Sequence, residues 1–524
     1  DGVRKCLGEE FTSVYCLNLR GDQRTSGDTS RREGGKIFGS GSRAQIAITL
    51  FVKNPLKNGH FSLFYSNIGD YLSRDQKLEI ISKFGSTKNI PWKTIAPNAS
   101  YDWINQRDPA FEAFMPMGDK TNKGNSNVGA IFLEYSLGIN TNRDAWTYNY
   151  SKSRLIKTMS DMTYFYNDQL KAYQKLYRTS PSSNIDIDKF VDNDFQKVKW
   201  SAGLKDNLQR NTRAVFDRLC IRNSLYRPFS KLNLYFQKQF IERTYKMDHL
   251  FPMPDSRNIC ILISGLGDSE PSALITDVIP NLNCQHSGCQ SFPLYIYETP
   301  DERSDDLFQG TAKNSGQRFN ITAFSLKEFR AGFHDQKITE EDIFYYVYGI
   351  LHSQEYKSRF AANLSKMLPR IPFAKDFWTF SKAGRKLAEI HLNYENAKFY
   401  PIKEHFDQLK LDEKKLYLVE KMKFGKKVKE ADKTMIHYNS HITLTGIPLE
   451  AYEYIVNGRS AIEWIMDRYQ LSTDKDSGIT NDPNDWAKER NDPKYILNLL
   501  KSIITVSMET IKIVKSLPPL NELK

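Results

Sequence analysis

Cysteine is scarce in this chain: Cys6, Cys16, Cys220, Cys260, Cys284 and Cys289 are the only six in 524 residues. Their wide spacing excludes a disulfide framework and points to a reducing compartment, the cytoplasm. Long apolar runs are also missing. The cleanest is no longer than a strand, so a bilayer-spanning helix is excluded and no membrane partner is expected. The opening residues Asp1-Gly-Val-Arg-Lys-Cys6 lack the charged-then-apolar pattern of a secretion signal. They also lack an initiator Met, which reads as a fragment or a trimmed product.

Signatures of catalysis are absent as well. There is no Walker lysine motif, helicase sequence, G-x-S-x-G elbow or nuclease carboxylate set. The Asn/Asp-Pro-Pro-Tyr/Phe tetrapeptide of adenine-N6 methyltransferases is missing, and neither Asn54-Pro55-Leu56 nor Asp108-Pro109-Ala110 replaces it. Gly39-Ser-Gly-Ser-Arg-Ala44 spells G-x-G-x-x-A, but a dinucleotide fingerprint follows a strand and opens a helix, whereas this one leads into a strand. Gly265-Leu-Gly267 follows a strand but has no third glycine, so turn glycines fit better. Cys284-Gln-His-Ser-Gly-Cys289 supplies zinc-type ligands without the second pair that a four-ligand site needs. His437 and His441 stand four apart in what reads as strand, with no glutamate between them, and read as surface or packing residues. No catalytic, cofactor-binding or metal-ligating residue is assigned.

What is present is positive charge. Lys and Arg number 74 against 62 Asp and Glu, a formal net charge of +12 that favours a polyanionic partner such as nucleic acid. Between residues 20 and 43 the glycine-rich segment carries Arg20, Arg24, Arg31, Arg32, Lys36 and Arg43 against Asp22, Asp28 and Glu33. Guanidinium donors on flexible backbone suit DNA phosphate, and Phe38 is a candidate stacking ring. A second basic-aromatic stretch, Tyr226-Arg-Pro-Phe-Ser-Lys-Leu-Asn-Leu-Tyr235 followed by Ile241-Glu-Arg243, places Arg227, Lys231, Tyr235 and Arg243 as groove or phosphate contacts. A strand pair with exposed charges would look the same.

The order of elements reads as helix, strand (12–19), long loop and strand (45–53), the back half of an α/β sheet. Residues 161–177 fit a helix, with a break at Pro181-Ser-Ser-Asn184, and 204–222 fit a basic amphipathic helix with Leu204, Leu208, Val215 and Leu219 on one side. Short strands fill 223–298, and 300–320 read as loop. Helices are then expected over 340–360, 376–387, 402–409, 461–469 and 492–516. The lysine-rich Lys421–Lys433 stretch reads as an exposed hairpin joining strands near 415–424 and 434–445.

Several stretches together resemble one family, the C-terminal part of bacterial type ISP restriction–modification enzymes. They are Asn18–Arg24 with Gly34–Val52, Tyr226–Tyr235, Leu274–Pro280 continuing to Phe292–Glu298, Glu341–Ser353, Leu368–Phe373, Ala383–Leu387, His391–Tyr394 and Val456–Trp464 through Asn481–Pro483. They run in the family's order over almost the whole chain. The resemblance implies a mixed α/β and α+β fold: a partial Rossmann-like methyltransferase sheet, then a target-recognition region with a largely helical C-terminal part. It divides the chain into 1–60 (methyltransferase tail), 61–180 (connecting region), 181–330 (strand-rich recognition part) and 331–524 (helical recognition part). It implies double-stranded DNA as partner, adds Arg385 of the Ala383–Leu387 motif to the DNA-binding candidates, and implies S-adenosylmethionine, ATP and Mg2+ for an intact enzyme whose methyltransferase, translocase and nuclease parts lie elsewhere. A nuclease with an unrecognised site and an inactive remnant are the competing expectations.

Overall fold

The computed structural model describes residues 2–25, 27–39, 42–56, 61–120, 129–179, 185–267, 271–297, 316–407, 412–428 and 430–523. The expected break at 181–184 and most of the expected loop at 300–320 lie outside them.

Helix Gly2–Glu10 leads into strand Ser13–Arg20, the centre of a four-stranded N-terminal sheet. Ile46–Val52 pairs with it antiparallel, Ser62–Asn67 parallel, and Lys93–Ile95 closes the far edge. Val14, Leu17 and Leu19 are buried, whereas Ile48, Leu50, Phe51 and Val52 leave apolar surface exposed on the edge strand. The sheet therefore continues past residue 60. Helix Arg74–Phe84 packs beside it, opened by a Ser73–Gln76 capping box that satisfies two orphan N–H groups.

The glycine/arginine segment is not the open, flexible loop its composition suggests. It contains the helix Gly27–Glu33, and Gly21, Gly34 and Gly35 sit against neighbouring backbone. A Cβ at Gly34 would lie 2.2 Å from the Leu72 carbonyl oxygen and one at Gly35 2.5 Å from the Arg74 nitrogen. Lys77, fully buried, donates to the Glu33 carbonyl at 2.7 Å and the Gly35 carbonyl at 2.8 Å, pinning the segment from below. Glycine here permits close packing.

Three interlocking cores make up the rest. One joins the 28-residue helix Lys152–Thr179 to Leu204, Leu208 and Phe240. A second runs through Cys260–Ile263, Ala273–Thr276 and Gln290–Pro293, strands of one antiparallel sheet, into helices Glu340–His352 and Phe377–Leu392. Those two helices cross at Gly349 and Gly384; a Cβ on Gly384 would meet the Tyr345 carbonyl oxygen at 1.8 Å. The third core ties Leu225, Phe229 and Leu232 to Ile436, Ile442, Trp464 and helix Tyr495–Lys515, so segments far apart in sequence share one interior. Asn457 locks the C-terminal hairpin Ile455–Ser460 onto this body, donating to the Cys284 carbonyl at 2.9 Å. Cys260, Cys284 and Cys289 are buried free thiols, whose pKa values burial raises.

Two expected helices differ. In the 204–222 span the α-helix Ala202–Gln209 stops at 209 and only a 3-10 turn, Arg218–Cys220, follows; Asn211 takes φ 59°, and Val215 and Leu219 are 63% and 73% exposed, so they form no buried face. In the expected 402–409 helix, Lys403–Phe406 is instead a strand paired with Ile442–Thr445, and residues 408–409 lie outside the described set. The partner strand decides what a four-residue apolar spacing leaves ambiguous. The lysine-rich hairpin exists, with Lys423–Lys427 and Glu430–His437 as its own strands. The C-terminal part is therefore helical around a four-stranded sheet.

Candidate nucleic-acid interface

Most of the basic residues singled out by sequence are engaged by acids or carbonyls of the protein itself, even where they are exposed. Arg20, at the end of its strand, pairs with Glu33 at 3.2 Å and Asp70 at 2.7 Å and donates to Asn67. Arg32 reaches the same Asp70 at 3.2 Å. Arg24 grips Asp22 with two hydrogen bonds of 2.9 and 2.7 Å, and Arg43 donates to the Gln23 carbonyl at 2.8 Å. The Arg24 guanidinium holds the Asp22 carboxyl below its ordinary range. Arg31 is exposed but engaged. Lys36 has no ion-pair partner among the described residues, and the Phe38 ring is 61% exposed.

The Tyr226–Tyr235 stretch is a strand pair, Ile221–Arg227 with Ser230–Tyr235, as the competing reading had it, but without the exposed charges. Its cations point into the third core. Arg227 stacks on Tyr226 with its guanidinium 3.9 Å from the ring centroid and donates to Asn281 at 3.0 Å. Lys231 lies 3.0 Å from Glu395 and 3.7 Å from Asp277. Burial opposes its charge, but the two carboxylates overcome that and its pKa is raised. Tyr235 is fully buried, stacked on Phe216, its hydroxyl bonded to Gln237. Arg385 pairs with Glu341 and Asp342 and covers Tyr345.

Arg243 differs. It is exposed and has no side-chain partner among the described residues; its backbone pairs with Asn140. Two residues on, a groove of about 790 Å³ opens between the Ser136–Leu137/Gln290–Pro293 sheet edge and the 366–370 loop. Lys120, Tyr245, Lys246, Gln290, Lys366 and Arg370 line it. Tyr245 holds a left-handed φ of 50°, a strained conformation for an aromatic residue, and presents its ring at the rim. Lys246 is anchored on Glu134 at 2.8 Å, and Lys366 on the buried Asp102 at 2.9 Å. The Lys120 ammonium, the Tyr245 hydroxyl and the Gln290 amide have no hydrogen-bond partner among the described residues. They are therefore available to a ligand. No sequence signal marks them, since neither a positive φ nor a free amide is written in residue type.

Four cations and Glu112 line the groove, and three of the four are already paired, so what it offers a polar or anionic ligand is Lys120, an aromatic rim and an unengaged amide. The chain belongs to the family of Type ISP C-terminal specificity domains, whose model matches residues 130–499. Among solved structures it is similar to a nuclease-deletion mutant of the Type ISP restriction–modification enzyme LlaGI in complex with a DNA substrate mimic (39% identity, TM-score 0.83). It is also similar to the ATP-dependent Type ISP enzyme LlaBIII bound to DNA (34%, TM-score 0.82) and to DrdV in its DNA complex (28%, TM-score 0.80). All of this chain is covered in each, but only 45%, 32% and 49% of the respective relatives, so it spans half their length or less. No curated protein matches the chain.

Proposed function

We propose that this chain is the sequence-recognition part of a type ISP restriction–modification system, binding double-stranded DNA in the cytoplasm and directing adenine-N6 methylation and restriction by catalytic parts outside it. The observation that carries this reading is the match, over the whole chain, to enzymes solved with DNA bound. The 790 Å³ groove is the best-supported contact site. Lys120, the groove lysine left unengaged, holds phosphate, which sets register, and Gln290 and Tyr245 meet base edges, which set sequence. Glutamine can bond an adenine edge with both its amide atoms.

The mixed sheet of residues 13–95 is the tail of a Rossmann-like methyltransferase fold. Its exposed Ile48, Leu50, Phe51 and Val52 are the surface that the rest of that fold covers. Lys36 and Phe38 then lie near a base taken out of the stack, a step such chemistry requires. The residues present do not fit S-adenosylmethionine. Residues 40 and 41 of the Gly39–Ala44 motif lie outside the described residues, 42–45 lead into the strand Ile46–Val52 rather than a helix, and neighbouring backbone blocks the open sides of Gly34 and Gly35. Nor does any His, Cys, Asp or Glu group among the described residues suit a metal ion. Methyl donor, ATP and Mg2+ are what the type ISP reading implies for the intact enzyme.

Selection of duplexes from a random pool by the purified chain, across a salt series, tests this. A recovered motif with a steep salt slope is expected. Retention without a motif would reduce the chain to a phosphate-gripping part, and no retention would end the DNA reading.

A further inference from the structure

The lysine-rich hairpin and the two histidines four apart find no role in the groove just described. They meet on the outer face of the sheet ordered Lys403–Phe406, Ile442–Thr445, Glu430–His437, Lys423–Lys427. On the inner face Ile436, Ile442 and Leu444 of the central strands are fully buried, with only the edge residue Phe406 part exposed, which anchors the sheet on the core. On the outer face His405 stands opposite Thr443, Thr443 opposite His437, and His437 opposite Lys423. One polar rung thus crosses all four strands, a span of about 14 Å at the usual strand spacing of ~4.8 Å. Two rings on this face are fixed by threonines: His437 Nδ1 lies 3.0 Å from Thr443 Oγ1, and His405 Nε2 lies 2.8 Å from Thr445 Oγ1.

Beside the rung lies a hollow of about 610 Å³, lined by Lys415, Lys421, Lys423, Asn439, Ser440 and His441 among others, with Glu420 as its acid. Lys415, Lys421 and Lys423 are exposed and have no ion-pair partner among the described residues. This contrasts with Lys427 and Lys433 of the same hairpin, which pair with Asp432 and Glu463. The hollow has no arginine. Unpaired lysines act as point charges on phosphate, whereas base reading favours planar bidentate groups. Laid along the duplex axis, the rung spans the rise of about four base pairs at ~3.4 Å each.

We propose that this outer face is a phosphate-contact surface that seats the backbone of duplex DNA beside the recognised site. The inference rests on the DNA-recognition reading above and adds to it a second, sequence-neutral contact.

The test compares the full chain with its Lys421→Gln/Lys423→Gln double variant, titrating a fluorescent duplex from 50 to 300 mM NaCl. Each phosphate contact contributes about 0.9 to the slope of log affinity against log salt. The double variant should therefore bind with a slope shallower by about 1.8 and select the same motif. Lys421→Arg/Lys423→Arg should restore the slope, which separates lost charge from damaged fold. An unchanged slope in the glutamine variant, with wild type binding normally, would overturn the surface and leave the recognition reading intact. So would a slope change that arginine does not restore. A wild-type chain that binds no DNA would take down both.

Discussion

The hairpin Ile221–Tyr235 and the hairpin Lys423–His437 share their ingredients, cations among rings, yet the fold treats them oppositely. In the first, Lys231 and Arg227 turn inward, where Glu395, Asp277, Asn281 and the Tyr226 ring are already placed to receive them. In the second, the inward side is filled by Ile436 and its apolar neighbours, and Lys421 and Lys423 are left facing water beside a single glutamate. A cation whose partners are built into the chain belongs to the architecture. One that lacks them has its affinity still to spend on a ligand. The distinction depends on which acids the tertiary fold brings within reach.

The architectural extreme is Asp102, fully buried and shared by Arg107 at 2.8 Å, Lys366 at 2.9 Å and Arg4 at 3.3 Å. It ties the N-terminal helix to the groove wall. Asp102→Asn should cost about 3 kcal/mol, because it removes a buried carboxylate that three half-buried cations share. Urea denaturation measures it, and a loss below about 1 kcal/mol would mean solvent already shares the site. Burial alone would raise the Asp102 pKa, but the bonds from Arg107 and Lys366 overcome this and hold it well below the usual range. A depressed folded-state pKa gives stability that is full above the unfolded value of about 3.9 and is lost as pH falls below it. The wild type should therefore weaken on acidification below pH ~4, and the Asn variant should lack that component.

Lys231→Gln comes next. Removing a cation bonded to Glu395 should cost about 1.5–3 kcal/mol, while the salt slope of DNA binding stays as in wild type. A slope shallower by about one in a folded variant would return this hairpin to the interface and break the comparison.

Local order was legible from sequence wherever the pattern was long. Helix Tyr495–Lys515, the 161–177 part of helix Lys152–Thr179 and strands Ser13–Arg20 and Ile46–Val52 were legible, because helical apolar spacing runs over several turns and the strands are runs of apolar and β-branched residues. The Lys403–Phe406 strand did not, since four residues carry no period and its partner is some forty positions away. Among the site candidates, sequence found that charge clusters at 20–43 and 226–243 but not that Asp70, Glu33 and Glu395 consume much of it. Tyr245 and Gln290 were invisible because their significance lies in a backbone angle and an unengaged amide.

In the groove, Gln290→Ala should relax preference at one base position by about 1–3 kcal/mol without moving the salt slope. Selection from a random pool reads this out. Retained preference at every position would confine the groove to holding backbone.

The smallest effect expected lies within the glycine/arginine segment, where the same comparison can be made between neighbours. Arg24 is already committed to Asp22 through two bonds, so moving it to a phosphate breaks one charge-assisted pair to form another. Little counterion is released in that exchange, because Asp22 already neutralises the guanidinium. Lys36 gives up no such pair. Lys36→Gln should therefore make the salt slope shallower by about 0.9, and Arg24→Gln by less than half as much, with neither changing the melting temperature measurably. Equal slopes in the two variants would mean that internal pairing does not withdraw a cation from DNA. In that case Arg20, Arg32 and Arg385, all paired in this fold, would again count as contacts.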